Sequence, residues 1–171
     1  IMALSGLDFI IIDSEHGPIG FETAQQMVIA CEVNNVSPIM RVSGVKEDEI
    51  LKALDIGSHG IQIPNVKNFD QVKKIIEYAK YPPLGNRGLS NFTRAGMYSL
   101  KNAQKLPLVA NDNTLVGINI EDQNSIKNID KILEIKELDL VFIGLFDLTK
   151  SLGIPGQIND PRVLDLLKVL I

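Results

Sequence analysis

Short, continuous apolar runs alternate with segments of helical spacing along the chain, and this alternation limits its folds more than any other feature. The runs are rich in Ile, Val and Leu and are flanked by turn residues, so we interpret them as five buried strands. These predicted strands span residues 7–13, 38–42, 60–64, 115–121 and 138–144. Helical spacing follows at residues 22–33, 47–56, 69–81 and 125–135, and again after Asn159-Asp160-Pro161 up to residue 171.

Strands separated by helices indicate βαβ units and therefore an α/β protein. Because the strands are continuous apolar runs, both faces of the sheet are expected to be covered, which is typical of a parallel sheet. Residues 82–112 interrupt the alternation of strands and helices with a long connection, which starts PPLGNRG and could contain one short helix. Connections of this length usually serve as lids or binding loops.

The glycine pattern separates the two architectures that such units build, the open doubly wound sheet and the closed (β/α)8 barrel. No GxGxxG follows the first predicted strand, and PPLGNRG lacks the Gly-Lys-Ser/Thr ending of a P-loop. Polar residues follow every predicted strand, and a barrel carries its function at these carboxyl ends. They are Asp13 with Glu15 and His16, then Arg41, Gln62, Asn119 with Glu121, and Asp147. We therefore predict a barrel with a charged ring at one mouth.

Glu121 and Asp147 are the best candidates for a metal site. Two carboxylates with water form the oxygen site that Mg²⁺ or Mn²⁺ prefers. Zinc has less support, because the chain has no Cys cluster or His pair at ligand spacing and His59 precedes a strand. The competing interpretations are a helix N-terminal charge for Glu121 and an N-cap of the turn at 148–152 for Asp147. Taken together, the two positions favour a metal site over these competing interpretations.

Arg41 and His16 are candidates for binding and proton transfer. Arg41 ends an apolar strand, where its planar fork could hold a carboxylate or an enolate oxygen, or else pair with Asp13 or Glu15. His16 could be a general base if a carboxylate orients it, although a loop histidine is more often a bystander. Cys31 has no adjacent base, and Lys150 is the lysine nearest to a strand end, so nucleophilic and Schiff-base catalysis have little support.

The composition is that of a globular protein with one domain. The 171 residues are 45% hydrophobic and 22% charged, and no apolar run approaches the about 20 residues of a membrane span. A net charge of -4 argues against a nucleic-acid partner, which requires clustered Lys and Arg. The single Cys31 cannot form an internal disulfide and no secretory leader is visible, so we expect a cytoplasmic location.

Several segments resemble one family, the HpcH/HpaI aldolases, which are class II, metal-dependent pyruvate aldolases. The matching segments are GLDFIIIDSEHGP, PIMRV, ALDIGSHGIQIPNV, YPPLGNRG with RAGMY, ANDNTLVGINIED and VFIGLFDLTKSLGIPGQINDP. The resemblance implies a (β/α)8 barrel that cleaves 4-hydroxy-2-oxo acids into pyruvate, or a related 2-oxo acid, and an aldehyde. It also implies a divalent metal cofactor (Mg²⁺, Mn²⁺ or Co²⁺) and a homo-oligomer, usually a hexamer with exchanged C-terminal helices.

The resemblance also implies roles for individual residues. Glu121 and Asp147 would ligate the metal, and Arg41 would contact the pyruvyl oxygen. His16 would handle protons in a dyad with Asp55. Asp13 would contact these residues without binding the metal or the substrate itself. The substrate would contact Asn119, Gly144 and Phe146, with its carboxylate on the backbone amides from Gly144 to Asp147.

The chain departs from the family pattern in three respects. Asn119 stands where the family usually has Gln, and Gly144-Leu145-Phe146-Asp147 stands where it usually has Gly-Pro-Ala-Asp, so Phe146 is expected to narrow the substrate pocket. Family members reach about 250 residues, the usual barrel size. The part without a counterpart matches the first strand and the last two, so residues 1–171 are expected to form a single, incomplete barrel domain.

An open five-stranded sheet would expose two bare edges and its apolar inner side. Two alternatives to the aldolase therefore stay open. One is a catalytically inactive barrel fragment or scaffold subunit. The other is a citrate-lyase-like enzyme acting on a CoA thioester, for which the chain lacks an evident Arg or Lys cluster to bind the nucleotide.

Overall fold

The computed structural model describes residues 1–169, in which helices pack against one parallel sheet of five strands. The strands are Phe9–Asp13 (β1), Ser37–Arg41 (β2), Gly60–Ile63 (β3), Leu115–Ile120 (β4) and Leu140–Ile143 (β5). They lie side by side in chain order, and every neighbouring pair is parallel. The five predicted strands and the α/β class are confirmed, and the sheet has the form of a half-barrel.

The helices return the chain from the end of one strand to the start of the next. They are Phe21–Val33 (α1), Glu47–Asp55 (α2), Phe69–Ala79 (α3), Leu106–Asn113 (α4), Gln123–Lys127 (α5), Ile129–Leu133 (α6), Leu145–Ser151 (α7) and Pro161–Val169 (α8). Two 3₁₀ turns lie at Met2–Leu4 and Leu100–Asn102. The predicted helix at 125–135 is two helices, because Asn128 ends α5 and its amide side chain donates to the carbonyl of Asn124.

The hydrophobic core lies between the helices and one face of the sheet. Side chains alternate between the two faces along a strand, and one set, including Ile12, Met40, Ile61 and Ile118, packs against the helices. The opposite set lines the concave inner side, where a cavity of about 790 Å³ remains. Thus, among the described residues, helices cover one face only, and the expectation that both faces are covered is wrong for this sheet.

Two aromatic side chains show how open the inner side is. Phe9 on β1 is 52% exposed and Phe142 on β5 is 47% exposed, although both belong to strands. β1 and β5 are also the two edges of the sheet within the described chain. The inner side is therefore an apolar surface bounded by two unpaired strands. In residues 1–169, none of the helices has the length and hydropathy needed to cross a membrane.

Candidate active site

An ion pair joins the carboxyl ends of β1 and β2. The register places Asp13 opposite Arg41, each the last residue of its strand. Arg41 donates from Nε to Asp13 Oδ1 at 2.8 Å and from Nη2 to Oδ2 at 2.5 Å. The hydrogen bond from Arg41 lowers the pKa of Asp13 to about 2, and the same bond raises the pKa of Arg41. The pairing of Arg41 with Asp13 is confirmed, and it fixes the plane of the guanidinium group.

Asp13 also holds the loop that follows it. Its Oδ1 accepts the backbone N–H groups of Glu15 at 3.0 Å and of His16 at 3.3 Å. Gly17 completes the turn, since a Cβ there would lie 2.3 Å from the carbonyl oxygen of Asp13. The loop turns Glu15 inward, so that its Oε2 lies 3.4 Å from Arg41 Nη1. Burial raises the pKa of Glu15, and that oxygen accepts no hydrogen bond from the described residues.

Glu121 lies directly after β4 and is only 6% exposed. Its Oε1 accepts a hydrogen bond from Asn119 Nδ2 at 2.8 Å, and its Oε2 accepts the backbone N–H of Asn65 at 3.1 Å. Asn65 has a φ of 56°, a left-handed conformation that asparagine tolerates better than most residues. Gly144 lies against the same carboxylate, because a Cβ there would be 2.6 Å from Glu121 Cγ. Three neighbouring strand ends therefore hold Glu121 in place.

Asp147 follows β5 along the chain. It lies in the first turn of α7, which begins directly after Gly144, so the residue packed on Glu121 also starts the helix that carries Asp147. Its side chain is partly exposed, and Lys150 Nζ lies 3.7 Å from Oδ1. The N-cap of α7 is Gly144, and the N-cap of α5 is Asp122 in a capping box with Ser125. Asp147 is therefore not the N-cap that its competing interpretation required, whereas Glu121 lies directly before the N-cap of α5.

The donors at this rim fit a hard divalent cation better than zinc. A buried Glu121 carboxylate and the unpartnered Oε2 of Glu15 are oxygen donors beside the Arg41 cation. Residues 1–169 contain no group of three or more His, Cys, Asp or Glu side chains that could hold a metal. Two carboxylates completed by water are a ligand set that Mg²⁺ or Mn²⁺ accepts.

The structure does not bring His16 and Asp55 together within one chain. The His16 side chain is 69% exposed, and its Nε2 lies 3.7 Å from Glu15 Oε2. Asp55 ends α2, which runs back from the carboxyl end of β2, and its Oδ1 accepts a hydrogen bond from Arg87 Nη2 at 2.8 Å. Within this chain the carboxylate beside His16 is that of Glu15, and Asp55 is engaged with Arg87, so the His16–Asp55 dyad stays a prediction.

Two of the residues predicted to contact the substrate have hydrogen-bond partners within the chain. The Gly144 N–H donates to the carbonyl of Ile120 at 3.0 Å, so this amide is not free for a carboxylate. Asn119 uses both ends of its amide, since its Oδ1 accepts from Gln62 Nε2 at 2.6 Å while its Nδ2 donates to Glu121. Phe146 is exposed on α7, next to the rim.

Sequence reasoning placed Glu15 and Gln62 among the polar residues at the strand ends without a catalytic or ligand role, and it did not single out Asn65. Glu15 and Gln62 both follow or end strands, and that position was the available signal. Asn65 contributes a backbone N–H, which no side-chain pattern reveals.

Known proteins resemble this chain over nearly its whole length. The 2-keto-3-deoxy-L-rhamnonate aldolase of Klebsiella pneumoniae subsp. pneumoniae is 32% identical over 164 residues, which are 95% of this chain and 61% of that protein. An HpcH/HpaI aldolase from Desulfitobacterium hafniense DCB-2 superposes with a TM-score of 0.91 at 31% identity, covering 98% of this chain and 64% of that one. The citrate synthase SbnG superposes with a TM-score of 0.86 at 34% identity over the same shares.

This chain therefore spans less than two thirds of the length of these relatives. The family model described as HpcH/HpaI aldolase/citrate lyase matches residues 1–170. The matched span includes both candidate metal carboxylates and the Asp13–Arg41 pair. The chain belongs to the HpcH/HpaI aldolase/citrate lyase family.

Proposed function

We propose that the protein is a metal-dependent aldolase that cleaves 4-hydroxy-2-oxo acids to pyruvate, or a related 2-oxo acid, and an aldehyde. The observation that carries this proposal is the single rim on which Arg41, the buried Glu121 and Asp147 follow their strands. Relatives with 30% to 32% identity are named as 2-keto-3-deoxy-L-rhamnonate aldolases, which supports the same reaction class.

Glu121 and Asp147 would hold the divalent cation (Mg²⁺, Mn²⁺ or Co²⁺). When bound, the cation supplies positive charge to the oxygen that becomes negative as the carbon–carbon bond breaks. Arg41 keeps N–H groups beyond those it gives to Asp13, and these would bind the same oxygen. Asp13 keeps the guanidinium fixed, so that its charge is oriented before the substrate arrives.

His16 would carry the proton of the C4 hydroxyl group. Its exposed ring lies beside Glu15 and can exchange protons with solvent. Phe146, exposed at the start of α7, would narrow the space for the aldehyde half of the substrate.

The finer architecture is also part of the proposal. We infer that the five described strands are part of a closed (β/α)8 barrel, because β1 and β5 are left as edges and their inner side is apolar. The relatives are longer by more than a third of their own length, which leaves room for further strands. A homo-oligomer is proposed as well, and the exposed Phe92, Tyr98 and Leu100 offer apolar surface for it.

The test is release of pyruvate from a generic 4-hydroxy-2-oxo acid, followed with a coupled lactate dehydrogenase assay. Turnover should require Mg²⁺, Mn²⁺ or Co²⁺ and should stop with EDTA. Asp147→Ala should abolish metal binding and turnover without changing the far-UV circular dichroism spectrum. Lys150→Ala, which removes only the exposed neighbour of Asp147, should keep both. Absence of turnover with all three metals, or unchanged metal affinity in Asp147→Ala, would overturn the proposal.

One alternative is favoured by a specific comparison. The citrate synthase SbnG is 34% identical to this chain, so a reaction in the citrate branch of the family needs its own assay. Cleavage of a CoA thioester, with no release of pyruvate from 4-hydroxy-2-oxo acids, would favour the citrate-lyase-like enzyme. Inactivity in both assays with an intact fold would favour a scaffold subunit.

A further inference from the structure

A line of two hydrogen bonds runs from β3 to the candidate metal carboxylate. Gln62 Nε2 donates to Asn119 Oδ1 at 2.6 Å, and Asn119 Nδ2 donates to Glu121 Oε1 at 2.8 Å. Gln62 is 2% exposed and Asn119 is 1% exposed, so water does not compete for these bonds. Together the three side chains form a buried polar relay, Gln62–Asn119–Glu121.

The chemistry of the three groups sets the direction of the relay. An ionised carboxylate only accepts hydrogen bonds, so Asn119 must turn its NH₂ group toward Glu121. Its oxygen then faces Gln62, which must in turn present its own NH₂ group. If the Asn119 amide turned over, its oxygen would face Glu121 Oε1 and its NH₂ group would face that of Gln62. Glu121 therefore sets the orientation of the Asn119 amide, and the Gln62 NH₂ group donates to the oxygen that this orientation turns toward β3.

The sheet leaves room for this arrangement. Gln62 lies opposite Arg41 on one side and opposite Gly117 on the other. Asn119 lies two residues further along β4 than Gly117, and the Gln62 side chain reaches it from β3. The contact between positions 62 and 119 therefore depends on the tertiary register and not on proximity in the chain.

Stability alone does not explain a glutamine at this position. Gln62 Oε1 is buried and accepts no hydrogen bond from residues 1–169. An unsatisfied buried acceptor has a free-energy cost that an apolar side chain of similar size would avoid. The Gln62 amide therefore lies in the core at a free-energy cost. Its NH₂ group donates to Asn119, which in turn donates to Glu121.

We propose that Gln62 is a positioning residue of the metal site, acting on Glu121 through Asn119. The inference rests on the proposed function, since it assumes that Glu121 holds a divalent cation. Partners that orient ligating carboxylates typically change metal affinity 10- to 100-fold when they are removed. Gln62 touches no ligand itself, so its effect must pass through Asn119.

The experiment measures the Kd for Mn²⁺ of the full chain by titration calorimetry or by electron paramagnetic resonance of free Mn²⁺. We expect Gln62→Leu to weaken binding about 10-fold. Gln62→Met, which keeps an unbranched chain, should give a similar loss. Ile39→Val is the matched control, because it trims a buried residue on the same inner side without touching the relay.

A double-mutant cycle separates positioning from loose packing. Asn119→Ala should weaken Mn²⁺ binding on its own, and adding Gln62→Leu should then cause no further loss. Losses that multiply would overturn the proposal, as would wild-type affinity in both Gln62 variants or an equal loss in Ile39→Val. If both Gln62 variants fail to fold, Gln62 is a core residue and the proposal is also overturned.

The same measurements distinguish this inference from the proposed function. If the wild-type chain binds Mn²⁺ and shows the coupling but releases no pyruvate, the aldolase proposal fails and the positioning role stands. If the wild-type chain releases pyruvate and the Gln62 variants bind Mn²⁺ normally, only the positioning role fails. If the wild-type chain does not bind Mn²⁺, both are overturned.

Discussion

At the scale of single residues, the rim combines charges that hold one another in fixed positions. Asp13 neutralises part of the Arg41 charge and anchors the loop that carries Glu15 and His16. Burial raises the pKa of Glu15, whereas the hydrogen bond from Arg41 lowers that of Asp13. Two carboxyl groups two residues apart are thus shifted in opposite directions by their surroundings.

The Asp13–Arg41 pair should appear in the acid dependence of stability. The pKa of Asp13 falls from 3.8 to about 2 on folding, so the unfolded chain binds the proton first. The stabilisation is complete above about pH 4 and is lost as the pH falls toward 2. We expect Asp13→Asn to lower the free energy of unfolding at pH 7 by about 1–2 kcal/mol, a value reduced for partial exposure of the pair.

Urea unfolding of wild type and Asp13→Asn between pH 2 and pH 7 measures this effect. The variant should lose less stability than wild type between pH 4 and pH 2. Asp130→Asn, an exposed substitution on α6, should keep the wild-type acid dependence. Parallel loss of stability in wild type and Asp13→Asn would contradict the assignment.

Gly144 should be required for the position of Glu121. A Cβ at Gly144 would lie 2.6 Å from Glu121 Cγ and 3.0 Å from Oε1, so Gly144→Ala must displace the carboxylate. Backbone strain is not the cause, because Gly144 has a φ of -82°. We expect Gly144→Ala to weaken Mn²⁺ binding about 10-fold or more.

Gly20→Ala is a close control for that substitution. Gly20 is also the N-cap of a helix, has a φ of -86°, and leaves open space where a Cβ would be added. The Gly20→Ala variant should bind Mn²⁺ with the same affinity as the wild type. If calorimetry gave the same Mn²⁺ affinity for Gly144→Ala and wild type, the position of Glu121 would not depend on the absence of a Cβ at residue 144.

At the scale of elements, the helices that start at the rim depend on their caps. α5 begins two residues after Glu121, and the Asp122 side chain accepts the N–H groups of Asn124 and Ser125. Because α5 has only five residues, it has few hydrogen bonds of its own to keep it in place. Its start is therefore set by the capping box.

Removal of this cap should destabilise the protein measurably. We expect Asp122→Ala to lower the free energy of unfolding by about 1 kcal/mol, because two backbone N–H groups lose their acceptor. Asp112→Ala, an exposed substitution near the end of α4, should change it by less than about 0.5 kcal/mol. Chemical denaturation of both variants provides the comparison, and equal effects would refute the role of the cap.

α4 shows why one element escaped sequence reasoning. Its residues, LPLVANDN, have no clear helical period, and the predicted connection of 82–112 covers most of it. The fold holds it through Asn111, whose amide bonds both backbone groups of Tyr81 at 2.7 and 2.9 Å. Lys80 Nζ also donates to the carbonyl of Asn111. These partners are 30 or more positions away, so a local pattern could not reveal them.

At the scale of the whole molecule, the half-barrel exposes an inner side that a closed barrel would bury. A contiguous apolar surface between two unpaired strands favours association with another chain or segment. The described chain therefore has a fold in which a substantial apolar surface still lacks a partner.

This surface should drive self-association of the polypeptide of residues 1–171. We expect Phe142→Ser, on the inner side, to shift sedimentation velocity profiles toward smaller species, because it removes a half-exposed aromatic ring from the association surface. Val33→Ser, an equally apolar to polar change at the exposed end of α1, should leave the profile unchanged. A wild-type chain that stays monomeric, or an equal effect of both substitutions, would contradict this expectation.

The sequence by itself determined the order and type of the main elements. Continuous Ile- and Val-rich runs bounded by turn residues can only be buried strands, and parallel strands place their carboxyl ends on one edge. That was sufficient to predict that Asp13, Arg41, Glu121 and Asp147 follow strands at one edge of the sheet, and the register pairs Asp13 with Arg41 there.

Only the tertiary structure determined the hydrogen-bond partners of the side chains and backbone groups near the strand ends. The Asp55 carboxylate accepts a hydrogen bond from Arg87, and the Gly144 N–H donates to the carbonyl of Ile120. The relay from Gln62 to Glu121 depends on the register of β3 against β4, across 57 positions of the chain. Contacts between residues so far apart are set by packing and by strand register, which local periodicity does not encode.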